Sequence, residues 1–310
     1  MTILIVKRIG SMAIVMLVVS VVLFLLLEID VENVARKVLG PFASEAGRTA
    51  WLERNGFFDP LYVRYFRWLG GFVTGDFGQS IMNNVPVADL LWPRLANTAL
   101  LGFLTMAAVV PLSLTLGVLA GMREGSRTDR VITVASVVTT SVPEFASSVI
   151  IAFVFVYWFP ILPGTSGMAF GFDWKALVMP VLVLVIYDFG YVTRMTRASM
   201  AEVMTTSYIR TAALKGLPRH RVILRHALRN ALIAPFTIIM LQIPWLLSGV
   251  IVVEYFFSYK GFGSLLLEAS LNGDIFVIEG CTMVAVFVAV ATQTISDIAY
   301  TFLNPRIRFS

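Results

Sequence analysis

Few positions in this sequence carry side chains able to do chemistry. Glu144, Asp188 and Asp297 interrupt long apolar runs, His220 and His226 stand six residues apart in a basic segment, and Cys281 is the single cysteine. An ionisable group at membrane depth is costly enough to be a functional candidate by default. Glu144 follows Pro143, and Asp188 lies six residues before Arg194; each either faces a path through the membrane or is satisfied by a polar neighbour. Asp297 stands two turns before Pro305, where a structural role fits better. The histidines have no carboxylate companion, which leaves them solvated or at an interface rather than holding a metal. Cys281 cannot close an internal disulfide and reads as a packed, inert thiol. No Gly-x-x-x-x-Gly-Lys-Ser/Thr phosphate loop occurs, nor any Gly-Lys pair. The chemistry on offer is placement of charge rather than catalysis.

The elements that hold these groups follow from composition. Of 310 residues, 58% are hydrophobic and 14% charged, against about 45–50% and about 25% in soluble domains. So few charges cannot clothe a water-soluble surface, and disorder needs the opposite balance. A helix needs roughly 20 apolar residues to cross a bilayer. Uncharged or nearly uncharged runs of that length cover Ile9–Leu27, Leu95–Met122, Val131 to about Phe159, Ala176–Thr193, Asn230–Val253 and Gly280 to about Leu303. The expectation is an all-α integral membrane protein with six transmembrane helices. The runs do not alternate as strands of a membrane barrel do. Lys7-Arg8 before the first run resembles a signal peptide. However, that run is long, and Glu28-Ile29-Asp30 replaces a small-residue cleavage site, so it reads as a retained anchor.

Basic residues orient the spans. With the N-terminus inside, inner segments hold fifteen of the 24 Lys and Arg residues against three acids, and the short outer loops carry only Lys175 and Lys260. Both termini are therefore expected to be cytoplasmic. The organisation expected is an N-terminal span (1–28), an outer segment (29–94), a core of five spans (95–304) with a cytoplasmic loop (194–229), and a tail (305–310). In the outer segment Arg64, Trp68 and Phe72 recur at helical spacing. Pro60–Val73 should thus form a short interfacial helix ending at Gly70-Gly71 or at the Gly75-Asp76-Phe77-Gly78 turn. In the inner loop, Thr205, Thr206 and Ser207 offer capping hydroxyls, a helix runs from Ser207 to Lys215, and Gly216 stands where a helix C′ residue belongs. A second helix restarts near Pro218 and aligns Arg221, Arg225 and Arg229 on one face, suited to lipid phosphates or to protein. Gly117-x-x-x-Gly121 permits close helix packing.

These segments are similar to those of a known family. Tyr208-Ile209-Arg210-Thr211-Ala212-Ala213-Leu214-Lys215-Gly216-Leu217-Pro218 resembles the EAA loop of binding-protein-dependent ABC importer permeases, in the form found in the dipeptide/oligopeptide branch. Gly75-Asp76-Phe77-Gly78 with Ser80 resembles that branch's outer turn, and Leu162-Pro163-Gly164 its loop after the third span. Glu254 through Gly261-Phe262-Gly263 to Asp274 resembles its E…GxG…D segment, and Asn304-Pro305-Arg306 its C-terminal motif. The likeness runs from Arg8 to Arg308. Ala213 stands where the family usually has Arg, Lys260 where it has Pro, Asn304 where Asp is common, and Arg210 where the general motif has Glu.

The resemblance implies a type I ABC importer permease fold in a bacterial inner membrane. It also implies that this chain needs no cofactor of its own, with ATP and Mg bound by two separate ATPase subunits. Arg210, Thr211, Ala212, Ala213, Lys215 and Gly216 would form the coupling helix seated on an ATPase. A second, non-identical permease subunit would complete the pore. A periplasmic or lipid-anchored solute-binding protein would dock outside, partly on residues 28–94, and lipids would surround the spans; nucleic acid has no place among the partners. Glu144 and Asp188 are candidates for the translocation path, where carboxylates suit a cationic peptide terminus. Peptides are the expected cargo, with nickel complexes, glutathione, opines or oligosaccharides as alternatives. An ion-coupled secondary transporter would usually show inverted repeats, which are not visible here.

Overall fold

The computed structural model describes residues 2–28, 31–40, 42–167 and 172–303. Asn304-Pro305-Arg306 and the tail lie outside the described residues. Fifteen α-helical segments occur among the described residues. They are α1 (Thr2–Glu28), α2 (Val31–Leu39), α3 (Glu45–Arg54), α4 (Leu61–Thr74), α5 (Val87–Gly121), α6 (Arg127–Ser141), α7 (Glu144–Ala152) and α8 (Trp174–Met204). After these come α9 (Ser207–Leu214), α10 (Arg219–Arg221), α11 (Leu228–Ala231), α12 (Ile233–Gly249), α13 (Ile251–Phe256), α14 (Phe262–Asn272) and α15 (Ile275–Leu303). Wider π-helical turns follow α7 (Phe153–Trp158) and join α10 to α11 (Val222–Ala227). The fold is all-α, with one isolated antiparallel bridge, Gln79 to Pro86, among the described residues.

Four helices are long and apolar enough to cross a membrane, within α1, α5, α8 and α15; two bent pairs raise the number to six if each is one span. The first pair places a sharp bend inside the Val131–Phe159 run. Arg127–Ser141 and Glu144–Trp158 meet at 99°. Pro143 has no N–H for the helix ladder and drives the preceding residue out of helical conformation. Val142 is accordingly extended (φ −88°, ψ 121°), and α7 restarts on Pro143. The second pair, Arg219–Ala231 with Ile233–Leu246, bends by 50°.

The helices fall into two compact units, residues 1–98 with 260–294 and residues 99–259 with 295–310. In the first, Val87, Leu91, Phe262, Leu265, Val277 and Cys281 form a buried core, and Val34, Leu52, Phe57 and Ile275 a smaller one. The outer-segment helix begins on Pro60 and ends on left-handed Gly75 (φ 85°), the later of its two expected stops; α2 and α3 precede it. In the second unit, Met179, Val183, Leu184, Val253 and Phe257 centre the core. Bare backbone brings its helices together. A Cβ on Gly117 would lie 2.5 Å from Thr196 Cβ, and one on Gly121 2.6 Å from the Arg197 carbonyl, so this glycine pair packs α5 on α8 within the chain. A Cβ on Gly190 would strike the Ser136 carbonyl, which lets α8 approach α6.

Candidate functional site

In the basic loop between α8 and α12, α9 spans Ser207–Leu214, Lys215 caps it, and Gly216 follows in the left-handed region (φ 76°), as its spacing predicts. The capping hydroxyls are used differently from expectation. Thr206 occupies the N-cap but donates its hydroxyl to the Val203 carbonyl at 2.6 Å, and Thr205 donates to Glu202 O at 2.7 Å. Eight residues are too few for a helix to hold itself in water. Burial holds it instead: Ile209 and Ala212 join Met200, Val222, Ala227 and Ala231 in a core cluster, and a buried aliphatic of this size contributes roughly 1.5–3 kcal/mol. Tyr208 Oη accepts from Asn230 Nδ2 at 2.9 Å.

The opposite face is open. Arg210, Thr211, Ala213, Lys215 and Gly216 are exposed, whereas Ala212 belongs to the seat. Leu214 is 81% exposed, an apolar side chain held out among basic neighbours, and the sequence reading passed over it. The helical wheel sets it opposite Ile209 and Ala212, which marks two faces without saying which of them is buried. Arg221, Arg225 and Arg229 are all exposed, His220 is exposed and His226 half-buried.

Beside this loop a compact ion pair ties α6 to α8. Arg197 Nε and Nη2 donate to Asp129 Oδ1 and Oδ2 at 2.9 and 2.8 Å, and Asp129 Oδ2 also accepts from Gly125 N at 2.9 Å. Asp129 precedes the apolar run that starts at Val131. The Arg197 guanidinium holds its carboxyl down at about 2, against an ordinary 3.8. Arg197 also approaches Glu124 at 3.3 Å.

Deeper in the same unit, Asp188 is 1% exposed and accepts from Gln242 Nε2 at 2.7 Å. It lines a cavity of about 200 Å³ with Thr140, Tyr187, Tyr191, Arg194, Gln242 and Trp245. Glu144, half-buried at the start of α7, is near enough for its charge to act on Asp188. Two of the three acids singled out in the sequence, Glu144 and Asp188, therefore lie within electrostatic reach of each other. Asp297 is half-buried on α15.

In the first unit the turn over residues 75–80 and Asp274 meet across 194 residues of sequence. Ser80 donates to Asp274 Oδ2 at 2.6 Å with both side chains buried. Asp76 Oδ1 accepts from Gly78 N at 3.0 Å, and Phe77 packs on Phe72 and Trp92. Gly261 opens α14 where the Ser264 hydroxyl accepts its N–H at 3.1 Å, and Gly263 is buried in the first turn. Glu254, fully buried, belongs to the second unit. A recess of about 220 Å³ between α4 and the Asp76 turn is lined by Arg64, Arg67, Trp68 and Asp76, with Arg64 lying 4.8 Å over the Phe57 ring. Among the described residues no group of three or more His, Cys, Asp or Glu could hold a metal ion.

Residues 113–309 match the family model described as binding-protein-dependent transport system inner membrane component. The chain is 36% identical over 280 residues, covering 88% of each chain, to the oligopeptide transport system permease protein AppB of Bacillus subtilis. It is 33% identical over 311 residues, 98% of this chain and 99% of the other, to a probable peptide ABC transporter permease protein, y4tP, of Sinorhizobium fredii. It is also 33% identical over 309 residues, covering 98% and 97%, to the metal-staphylopine import system permease protein CntB of Staphylococcus aureus.

Proposed function

We propose a working mechanism from one premise, that this chain belongs to the family of binding-protein-dependent transport system inner membrane components. It is a permease subunit of a peptide-type ABC importer, coupled to separate ATPase subunits. Six spans cross the bacterial inner membrane with both termini cytoplasmic, each bent pair counting as one span; the basic inner loops support that orientation. A second, non-identical permease subunit completes the pore. Two ATPase subunits carry ATP and Mg, and a solute-binding protein docks outside, partly on residues 28–94.

The observation that carries the mechanism is the two-faced α9. Its Ile209 and Ala212 face is fixed to the transmembrane helices, while Arg210, Thr211, Ala213, Leu214 and Lys215 are presented outward. Such a helix transmits force. Closure of the ATPases on ATP moves it as a rigid body, and its seat on α8 passes the motion to the pore. Left-handed Gly216 stops the helix after two turns and returns the chain toward the membrane.

The test is purification in mild detergent followed by reconstitution. ATPase subunits should co-purify, and peptide uptake should require ATP; uptake driven by an ion gradient alone would refute the mechanism. Deleting most of residues 28–94 should abolish uptake while sparing assembly, and retained peptide uptake would remove that segment from the binding-protein contact. A second cargo class, a metal–opine complex, is favoured by the match to a metal-staphylopine permease. Competition between peptides and such a complex for uptake separates the two.

A further inference from the structure

We propose that the cavity beside Asp188 is a charge-paired subsite for a zwitterion, taking an ammonium group at Asp188 and a carboxylate at Arg194. This deepens the importer reading by assigning a piece of the cargo to named residues of the second unit. Asp188 Oδ1 is satisfied by Gln242, but Oδ2 is buried with no hydrogen-bond partner among the described residues. A carboxylate oxygen in that state carries a desolvation cost which a donor in the cavity removes. Glu144, half-buried at the start of α7, is a second acid within electrostatic reach of Asp188. Tyr187 and Trp245 stack at 5.2 Å and 12° in the wall, and aromatic faces beside a carboxylate suit an ammonium group.

Arg194 supplies the opposite pole of the same cavity. Its guanidinium donates to Thr140 Oγ1 at 3.0 Å and reaches the Ser136 carbonyl at 3.5 Å, and it makes no ion pair among the described residues. Those two bonds aim the group and leave further N–H donors for an incoming carboxylate. Asp188 and Arg194 stand six residues apart on α8, roughly 9 Å along its axis at 1.5 Å per residue. An extended dipeptide or tripeptide covers about that span. A cavity of about 200 Å³ admits the backbone of such a unit rather than a long peptide.

The full-length chain in lipid nanodiscs is titrated calorimetrically with glycylglycine, its C-terminal amide, its N-acetyl derivative, and glycine. Glycylglycine should bind tightest, because glycine is too short to bridge the poles and each blocked dipeptide lacks one charge. Asp188→Asn should weaken glycylglycine by roughly tenfold or more and remove its advantage over the N-acetyl form. Arg194→Gln should instead remove its advantage over the amide, and Arg194→Lys should keep it. A purely structural role would weaken all probes alike, and that result overturns the subsite. So does glycine binding as well as glycylglycine, or no binding by any probe. If Asp188→Asn does not fold, Glu144→Gln tests the ammonium pole by the same loss of preference. The titration uses no ATPase, so failure here leaves the importer reading intact, and ion-driven uptake would overturn that reading without touching the binding data.

Discussion

Truncating Leu214 to alanine separates a docking role for α9 from a folding role. The side chain is 81% exposed in this chain, so its loss removes few internal contacts. Surface changes of this kind move stability by no more than about 0.5 kcal/mol. If the ATPase buries Leu214, the same change deletes three carbons at about 0.8 kcal/mol each; scaled by the exposed fraction, the loss is about 2 kcal/mol. That corresponds to roughly 30-fold weaker association, at 1.4 kcal/mol per factor of ten. The assay is titration of ATPase subunits onto the permease in nanodiscs, with thermal melting in parallel. The expected result is a large affinity loss at an unchanged melting temperature. Affinity within threefold of wild type would refute the docking role, and a matching fall in melting temperature would show that Leu214 serves the fold.

Three further changes probe the frame around that helix and the outer motifs. Ser80→Ala leaves a buried Asp274 oxygen short of a donor and should cost about 1.5–3 kcal/mol, seen as a lower melting temperature that Asp274→Asn partly offsets. Gly190→Ala places a methyl against the Ser136 carbonyl and should destabilise the chain by about 1–3 kcal/mol; a neutral result in denaturant titration would contradict the close approach of α6 and α8. Asp129 has a folded-state pKa below its ordinary value, so its contribution is complete above about pH 4 and fades as pH falls toward 2. Acid titration of stability should show that loss in wild type, and Asp129→Asn should flatten it.

Local signals were legible in the sequence and distant pairings were not. The C-terminal end of α9 could be read because Gly216 and Pro218 punctuate the backbone directly, and Pro60 and Gly75 did the same for both ends of α4. The 99° break was also within reach, since Pro143 and its effect on Val142 are local; hydropathy alone had merged the two halves. Short interfacial helices were expected in the outer segment, but the bounds of α2 and α3 were not legible because both are short and their register depends on burial against other segments. Asp188 with Gln242, Ser80 with Asp274 and Asp129 with Arg197 are 54, 194 and 68 residues apart. Spacing in a single sequence cannot pair such residues. The Ala212 seat and the outward Leu214 needed the same tertiary information, because either face of so short a helix could have been the buried one.

The turn at Pro143 has a consequence for hydration. A helix that stops inside an apolar run leaves its last carbonyls without ladder partners, and hydrocarbon supplies none. Thr139, Thr140 and Ser141 cannot fill the gap as acceptors' partners, since their hydroxyls already turn back to Ser136 and Val137 carbonyls. The donors open to them are the Arg194 guanidinium, which already lies against Thr140, water, or groups of another subunit. The break therefore sets a polar ring of backbone inside an otherwise apolar run. A solute passing such a ring would meet backbone acceptors in place of water and could exchange its hydration in steps instead of all at once.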